Sequence, residues 1–213
     1  MKRTILSLVI ITLFITGCAL MSKTPEPKWQ SLYKDGSIEI RHYNSMIVAE
    51  TTVKGERYTA INNGFRILAN YIFGGNAEQQ KIEMTAPVVQ EANRGQKIAM
   101  TAPVIQEATN QTNEWNVRFV MPAEYTTIAS LPKTNDTRIK FIEIPAYHVA
   151  VVKFSGFNTD ANLKQHKKML VDWLVSQKIK PISEPIFAFY NPPWTLPFMR
   201  RNEVMIKIEK WKL

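Results

Sequence analysis

A period of two sets in at Ser37 and gives way to a longer period at Glu56. Ser37-Ile-Glu-Ile-Arg-His-Tyr43 alternates, and after Asn44-Ser45 the β-branched run from Met46 to Val53 ends at Lys54-Gly55. Alternation with β-branched enrichment predicts strands, here a strand pair. From Glu56 to Phe73 the apolar positions Ile61, Phe65, Leu68, Ala69 and Ile72 recur every three or four residues, and Gly74-Gly75 closes the run. That spacing predicts a helix with a glycine stop. The order strand, strand, Gly, helix returns in the second half, at Arg138–Ile144, Tyr147–Phe154, Ser155-Gly156 and Asp160–Ser176. Further strands are predicted at Lys81–Val88, Lys97–Val104 and Glu114–Met121, then at Ile186–Tyr190 and Glu203–Lys210. The chain reads as two copies of one β-α-β unit, an α+β pattern whose strands can join into one sheet bent into a barrel or saddle. A groove suited to a flat apolar ligand is expected where helix and sheet diverge.

One phrase is written twice. Lys81-Ile-Glu-Met-Thr-Ala-Pro-Val-Val-Gln-Glu-Ala92 and Lys97-Ile-Ala-Met-Thr-Ala-Pro-Val-Ile-Gln-Glu-Ala108 agree at 10 of 12 positions. Each copy carries an apolar face, and Asn93-Arg94-Gly95 supplies turn chemistry between them, so an antiparallel hairpin is expected. Pro87 and Pro103 donate no ladder hydrogen bond, which places each at an edge, a bulge or a strand end.

Met-Thr-Ala-Pro-Val after a helix resembles the signature of the SOUL family of haem-binding proteins. Asn116-Val-Arg-Phe-Val-Met-Pro122, Val149-Ala-Val-Val-Lys-Phe-Ser-Gly156 and the long segment from Tyr190 through Asn191-Pro-Pro-Trp194 to Val204 stand in that family's order. The resemblance runs from Trp29 to the C-terminus, and the doubled phrase departs from it, since one copy satisfies the signature. It implies a distorted antiparallel β-barrel flanked by two helices with pseudo-twofold symmetry. It also implies a mainly apolar haem pocket on the first helix, with axial ligation that varies among members.

The N-terminus carries a different kind of signal. Lys2 and Arg3 precede an apolar run of 11 residues, Ile5 to Ile15, followed by Thr16-Gly17-Cys18. The run is shorter than the ~20 residues that span a bilayer, and its basic start and small residues before Cys18 match an export signal with a lipobox. Residues 1–17 are expected to be a lipoprotein signal peptide, 18–28 a lipidated, mobile tether, and 29–213 the SOUL-like domain. Cys18 is the sole cysteine, and its acylation would remove a free thiol from an oxidising compartment while anchoring the chain. The full chain has a formal charge of +9; without Lys2 and Arg3 it keeps +7, which favours an anionic membrane surface or a carboxylate-bearing ligand over nucleic acid in an exported protein. Ala19 lacks the acidic character associated with inner-membrane retention, so the periplasmic face of the outer membrane is expected in a two-membrane cell.

Catalytic chemistry is not written in the chain, which has no cysteine nucleophile, no paired-histidine ligand spacing and no glycine-rich phosphate loop. A non-enzymatic binding protein is expected. His42 shares a strand face with Ile38 and Ile40, His148 with Ala146, Ala150 and Val152, and His166 borders the helical stripe of Leu163, Leu170 and Trp173. Each is a candidate axial ligand to haem iron, and each is also readable as a satisfied structural histidine. On the first helix Arg57 and Arg66 could clamp propionates while Ile61, Phe65 and Leu68 offer an apolar wall to haem or another tetrapyrrole. A core stripe with two solvated arginines is the plainer alternative. Prolines make Asn191–Met199 a stiff loop, whose Trp194 and Phe198 either seal one end of the barrel or face ligand or membrane. Two rivals stand beside tetrapyrrole binding: a pocket for other small apolar molecules, and a protein- or membrane-interaction module without a small ligand.

Overall fold

The computed structural model describes residues 25–92, 113–192 and 194–211. Among them nine strands form one antiparallel sheet: β1 (Trp29–Asp35), β2 (Ile38–Tyr43), β3 (Met46–Lys54), β4 (Thr85–Ala92), β5 (Glu114–Val120), β6 (Lys140–Ile144), β7 (Tyr147–Phe154), β8 (Ile186–Phe189) and β9 (Asn202–Ile208). Helices α1 (Arg57–Ile72) and α2 (Asp160–Ser176) follow β3 and β7. The sheet is a curled half-barrel in the order β1-β2-β7-β9-β8-β4-β5-β3-β6. Setting aside β1, this order reads the same from either end when β2, β7, β9 and β8 are exchanged with β6, β3, β5 and β4. The pseudo-twofold axis therefore passes between β8 and β4. Gly55 and Gly156, each between a strand and its helix, both adopt positive φ, +122° and +105°, as equivalent positions in two copies of one unit should.

The symmetry is built by exchange. The expected pairs β2 with β3, and β6 with β7, do not form; β2 pairs with β7 and β3 with β6. The first strand of each unit crosses to the other half, so each half presents edges that only the other can fill. The predicted hairpin of the duplicated phrase is excluded over Val88–Glu91, because β4 is flanked there by β5 on one side and β8 on the other. The predicted strand Lys97–Val104 lies outside the described residues. The first copy also starts its strand four residues later than predicted, since the Ile82 N–H donates to Ile72 O at the end of α1 (2.7 Å) instead of to the ladder. Pro87 sits in a bulge between Thr85 and Val88, as its missing donor requires. Strand β1, which is not among the predicted elements, forms a hairpin with β2 through Gly36-Ser37, with Gly36 at φ +56°.

Both helices cover the same sheet face. Val88 packs with the α1 core and its direct cross-strand partner Phe189 with the α2 core, and directly paired residues share a face. Ala60, Gly64 and Leu68 form the innermost ridge of α1. The Glu56 carboxylate caps this helix by accepting from the N–H groups of Tyr58 and Thr59. Leu163, Leu170 and Leu174 do the corresponding burying for α2. The other sheet face carries a third cluster, with Tyr43, Val149, Val151, Ile186, Ala188 and Met205.

Candidate functional site

The expected ligand wall on α1 divides into parts that cannot act together. Leu68 is fully buried and belongs to the core. Ile61 is half-buried, and Phe65, 37% exposed, meets Phe119 edge-on with centroids 5.2 Å apart. Arg57 is engaged: its guanidinium donates to Asp160, to the carbonyl of Asn158 at 2.9 Å and to Gln90 at 3.4 Å, tying the starts of the two helices together. Arg66 comes nine residues after Arg57, about half a turn out of phase, so the two face opposite sides of the helix. With Lys54, Asn63, Ile67 and Arg138 it lines a separate open cleft of about 390 Å³. On one flank Ile61 and Phe65 remain partly exposed beside the committed Arg57.

On the sheet face away from the helices, charge is buried in quantity. Glu203 is 0% exposed and accepts from Arg41 through both carboxylate oxygens (2.9 and 3.1 Å), from Arg201 Nε (2.9 Å) and from the Tyr190 hydroxyl (2.7 Å). Burial alone would pull the Arg41 guanidinium down, but Glu203 and Tyr43 outweigh it and hold it above its ordinary value. Burial, joined by the Glu203 charge, pushes the Tyr190 phenol well up. A second network joins Arg118 to Glu50 (2.5 Å) and Glu91. Between the networks Tyr43 stacks on Tyr147 at 5.4 Å. The segment expected to end a mobile tether is strapped across this face. Pro25 O accepts from Ala86 N–H (2.8 Å), Glu26 bonds Arg201 (2.8 Å), and Lys28 O accepts from Asn44 N–H (3.2 Å). The middle of the face is thus filled by the protein's own side chains.

At the end of β2 and β7 nearest Gly36 and Ser155 the same face opens into a hollow of about 720 Å³. Arg41 and Arg201, held by Glu203, line it; Trp29, Phe198 and Met199 supply apolar surface; Lys34, Lys153 and Arg200 add cations, while Ile38 and Phe154, which also border it, turn their side chains into the α2 core. The Arg41 guanidinium also lies 4.2 Å over the Trp29 ring centroid. This volume is in the range of small-molecule sites, and the mixture of flat apolar surface with several cations suits an apolar disc bearing carboxylates. The loop after β8 forms one wall, and the expectation that it seals a barrel end fails, since Trp194 is 84% and Phe198 73% exposed.

None of the three histidines lines this hollow. His42 and His148 are cross-strand partners with rings 4.8 Å apart, beside the α2 core. Burial, then the charges of His42 and Lys210, hold the His148 imidazole below its ordinary pKa. His166 stacks on Phe154 at 3.9 Å and its Nδ1 meets the Asn162 carbonyl at 2.8 Å. Two of them are therefore paired with each other and the third is committed to its own helix.

Two exchanged β-α-β units, with helices on one sheet face and a cationic, aromatic hollow on the other, define a pseudo-symmetric α+β binding domain. The model of the SOUL heme-binding protein family matches residues 24–95 and 89–207, and the chain belongs to that family. It is 30% identical over 175 residues to Heme-binding protein 2 of Homo sapiens, covering 80% of this chain and 78% of that protein. The mouse protein of the same name is 28% identical over the same length. In fold, it is similar to the EcmrR C-terminal domain, with a TM-score of 0.60 at 14% identity over 84% of this chain and 99% of that one. EcmrR in its DNA complex gives 0.58 at 12% identity, covering 99% of this chain and 69% of that one.

The two family matches overlap at the duplication, and each takes in one copy of the phrase. Deleting either residues 81–96 or residues 97–112 leaves one copy joined to Asn113 through four residues. Both deletions are expected to fold, because Val89 and Ile105 are close in size and Glu83, which faces Ala99 in the alignment, is exposed. The thermal midpoint should move by no more than about 3 °C. Failure of the Δ81–96 protein to fold would show that the second copy cannot take the place of β4.

Proposed function

We propose that this protein binds haem or a related tetrapyrrole non-covalently in the 720 Å³ hollow, as an envelope lipoprotein anchored through Cys18, with no catalysis of its own. The make-up of the hollow carries the reading. Trp29, Phe198 and Met199 suit the disc, and Lys34, Lys153 and Arg200 suit propionates. Bound haem would supply an iron centre, and Met199 would be the side chain of the hollow able to ligate it. Family membership and the name of the human relative support the same class of ligand.

Titration of the protein with haemin and with metal-free porphyrin tests this. Both compounds should bind saturably, and His42→Ala, His148→Ala and His166→Ala should each keep most of the affinity. Arg200→Ala should weaken binding about tenfold to a hundredfold, the equivalent of roughly 1 to 3 kcal/mol for a charge-assisted hydrogen bond, and Phe198→Asp more. The partly exposed flank of α1 favours a second seat, against Ile61 and Phe65 beside Arg57. Loss of binding in Phe65→Asp with Phe198→Asp unaffected would move the ligand there. Saturable binding of neither compound ends the tetrapyrrole reading and favours the interaction module. The anchor is tested separately: the mature protein should begin at an acylated Cys18, and Cys18→Ser should abolish lipid labelling.

A further inference from the structure

Cys18 and Pro25, where the described chain begins, are seven peptide steps apart. Fully extended they span at most about 25 Å, so an acylated Cys18 dictates which end of the domain meets the bilayer. Pro25 is bonded to Ala86, just before β4 pairs Val88 with Phe189 at the close of β8. The antiparallel register therefore sets the exit of the tether beside the start of the loop that runs from β8 to β9.

That loop carries the largest solvent-facing apolar groups near the exit. Trp194 is 84% exposed, Leu196 55%, Phe198 73% and Met199 48%, and Phe157, from the loop before α2, adds a ring that is 58% exposed. The two loops are fastened together: Gly156 N–H donates to Pro197 O at 2.8 Å, and the Arg200 guanidinium lies 5.4 Å from the Phe157 ring centroid. Arg200 also donates to Thr195 O at 2.8 Å, which fixes the turn presenting Trp194. Lys153 and Lys34 stand on the neighbouring rim. Aromatic and aliphatic tips ringed by cations are the chemistry of a surface that enters the headgroup zone of an anionic bilayer.

We infer that the Trp194–Met199 loop is a membrane-docking surface that inserts Trp194 and Leu196 into an anionic lipid interface and holds the domain against the membrane to which Cys18 tethers it. The orientation rests on the anchoring proposed above. Neither Trp194 nor Leu196 lines the hollow, so docking and ligand binding are separable.

The test uses the mature protein reconstituted in phosphatidylglycerol–phosphatidylethanolamine vesicles with brominated acyl chains. Tryptophan emission should be quenched, and Trp194→Phe should remove most of the quenched component. Trp194→Ser with Leu196→Ser should weaken vesicle binding of unlipidated Cys18→Ser protein more than tenfold, leaving the melting temperature and haemin affinity unchanged. Mass spectrometry of the N-terminus reads the anchor independently. Acylated Cys18 with no Trp194-dependent quenching overturns the docking and leaves the anchor standing. Quenching with an unmodified Cys18 supports the docking and removes the anchor. Loss of haemin affinity in the double variant would overturn the inference by assigning the patch to the ligand, and a dimer dissolved by it would overturn it by assigning the patch to a second copy of the chain.

Discussion

Glu203→Gln destabilises this protein while tightening its hold on a carboxylate-bearing ligand. The carboxylate is 0% exposed and shared by Arg41 and Arg201, which both line the hollow. Gln keeps the volume and removes the charge, so two guanidinium groups lose their most deeply buried anion, Arg41 keeping Glu39 at 2.7 Å and Arg201 keeping Glu26 at 2.8 Å. Breaking one side of a buried ion pair costs about 3 to 5 kcal/mol, a fall in melting temperature of roughly 6 to 20 °C for a domain of this size. The same change makes the lining of the hollow more positive by one charge. Affinity for a dicarboxylate porphyrin should therefore rise, while affinity for its dimethyl ester should not. Paired melting and titration curves check both halves. An unchanged melting temperature would mean that the arginines find other acceptors. A parallel gain for the ester would mean that the hollow has merely loosened.

This network shows where sequence reading stops. A glutamate at Glu203 ahead of Val204-Met205-Ile206 breaks an apolar strand pattern and so calls for a partner, whereas Arg41 keeps the polar phase of the alternating Ser37–Tyr43 run and gives no such signal. The partners are 162 residues apart, and no local period relates them. The helices, most strands and the twofold recurrence were legible because each rests on a local period of 2 or 3.6. The exchange of strands between halves was not, since alternation says which face a residue takes and nothing about which strand lies beside it. On α1 the same limit decided the candidate site. Arg57, Ile61, Phe65, Arg66 and Leu68 all belong to the helix as read, but their division between core, flank and far side depends on where the sheet sits. Strand β1 had a local signal after all: Gly36-Ser37 ahead of the alternating Ile38–Tyr43 run is two-residue hairpin chemistry, with Gly at the first turn position. The hollow assembles Trp29, Arg41, Lys153 and Phe198 from distant segments, so composition alone could indicate its cationic and aromatic character but not its place.

Gly64→Val is expected to pry α1 off the sheet. The helix crosses β3 and β5 so closely that a Cβ at Gly64 would stand 2.6 Å from Val117 Cγ2 and 2.9 Å from Val117 Cβ. Val117 is fully buried and β-branched, so it has little rotameric freedom with which to give way. Overpacking of this kind costs typically 1 to 3 kcal/mol, and a branched side chain aimed at a branched neighbour belongs at or above the top of that range. Gly64→Ala sets two effects against each other, since Ala gains roughly 1 kcal/mol of helix propensity over Gly while meeting the same Val117 atoms. The deciding measurement is a double-mutant cycle with Val117→Ala. If the close approach governs, Gly64→Ala destabilises the parent but stabilises the Val117→Ala background, where the added methyl fills the space just vacated. Stabilisation of the parent itself would mean that the glycine is there for reasons other than contact. Loss of the Phe65–Phe119 ring contact in Gly64→Val, read from aromatic chemical shifts, would then tie this one missing Cβ to the placement of the α1 flank against which a second ligand seat is drawn.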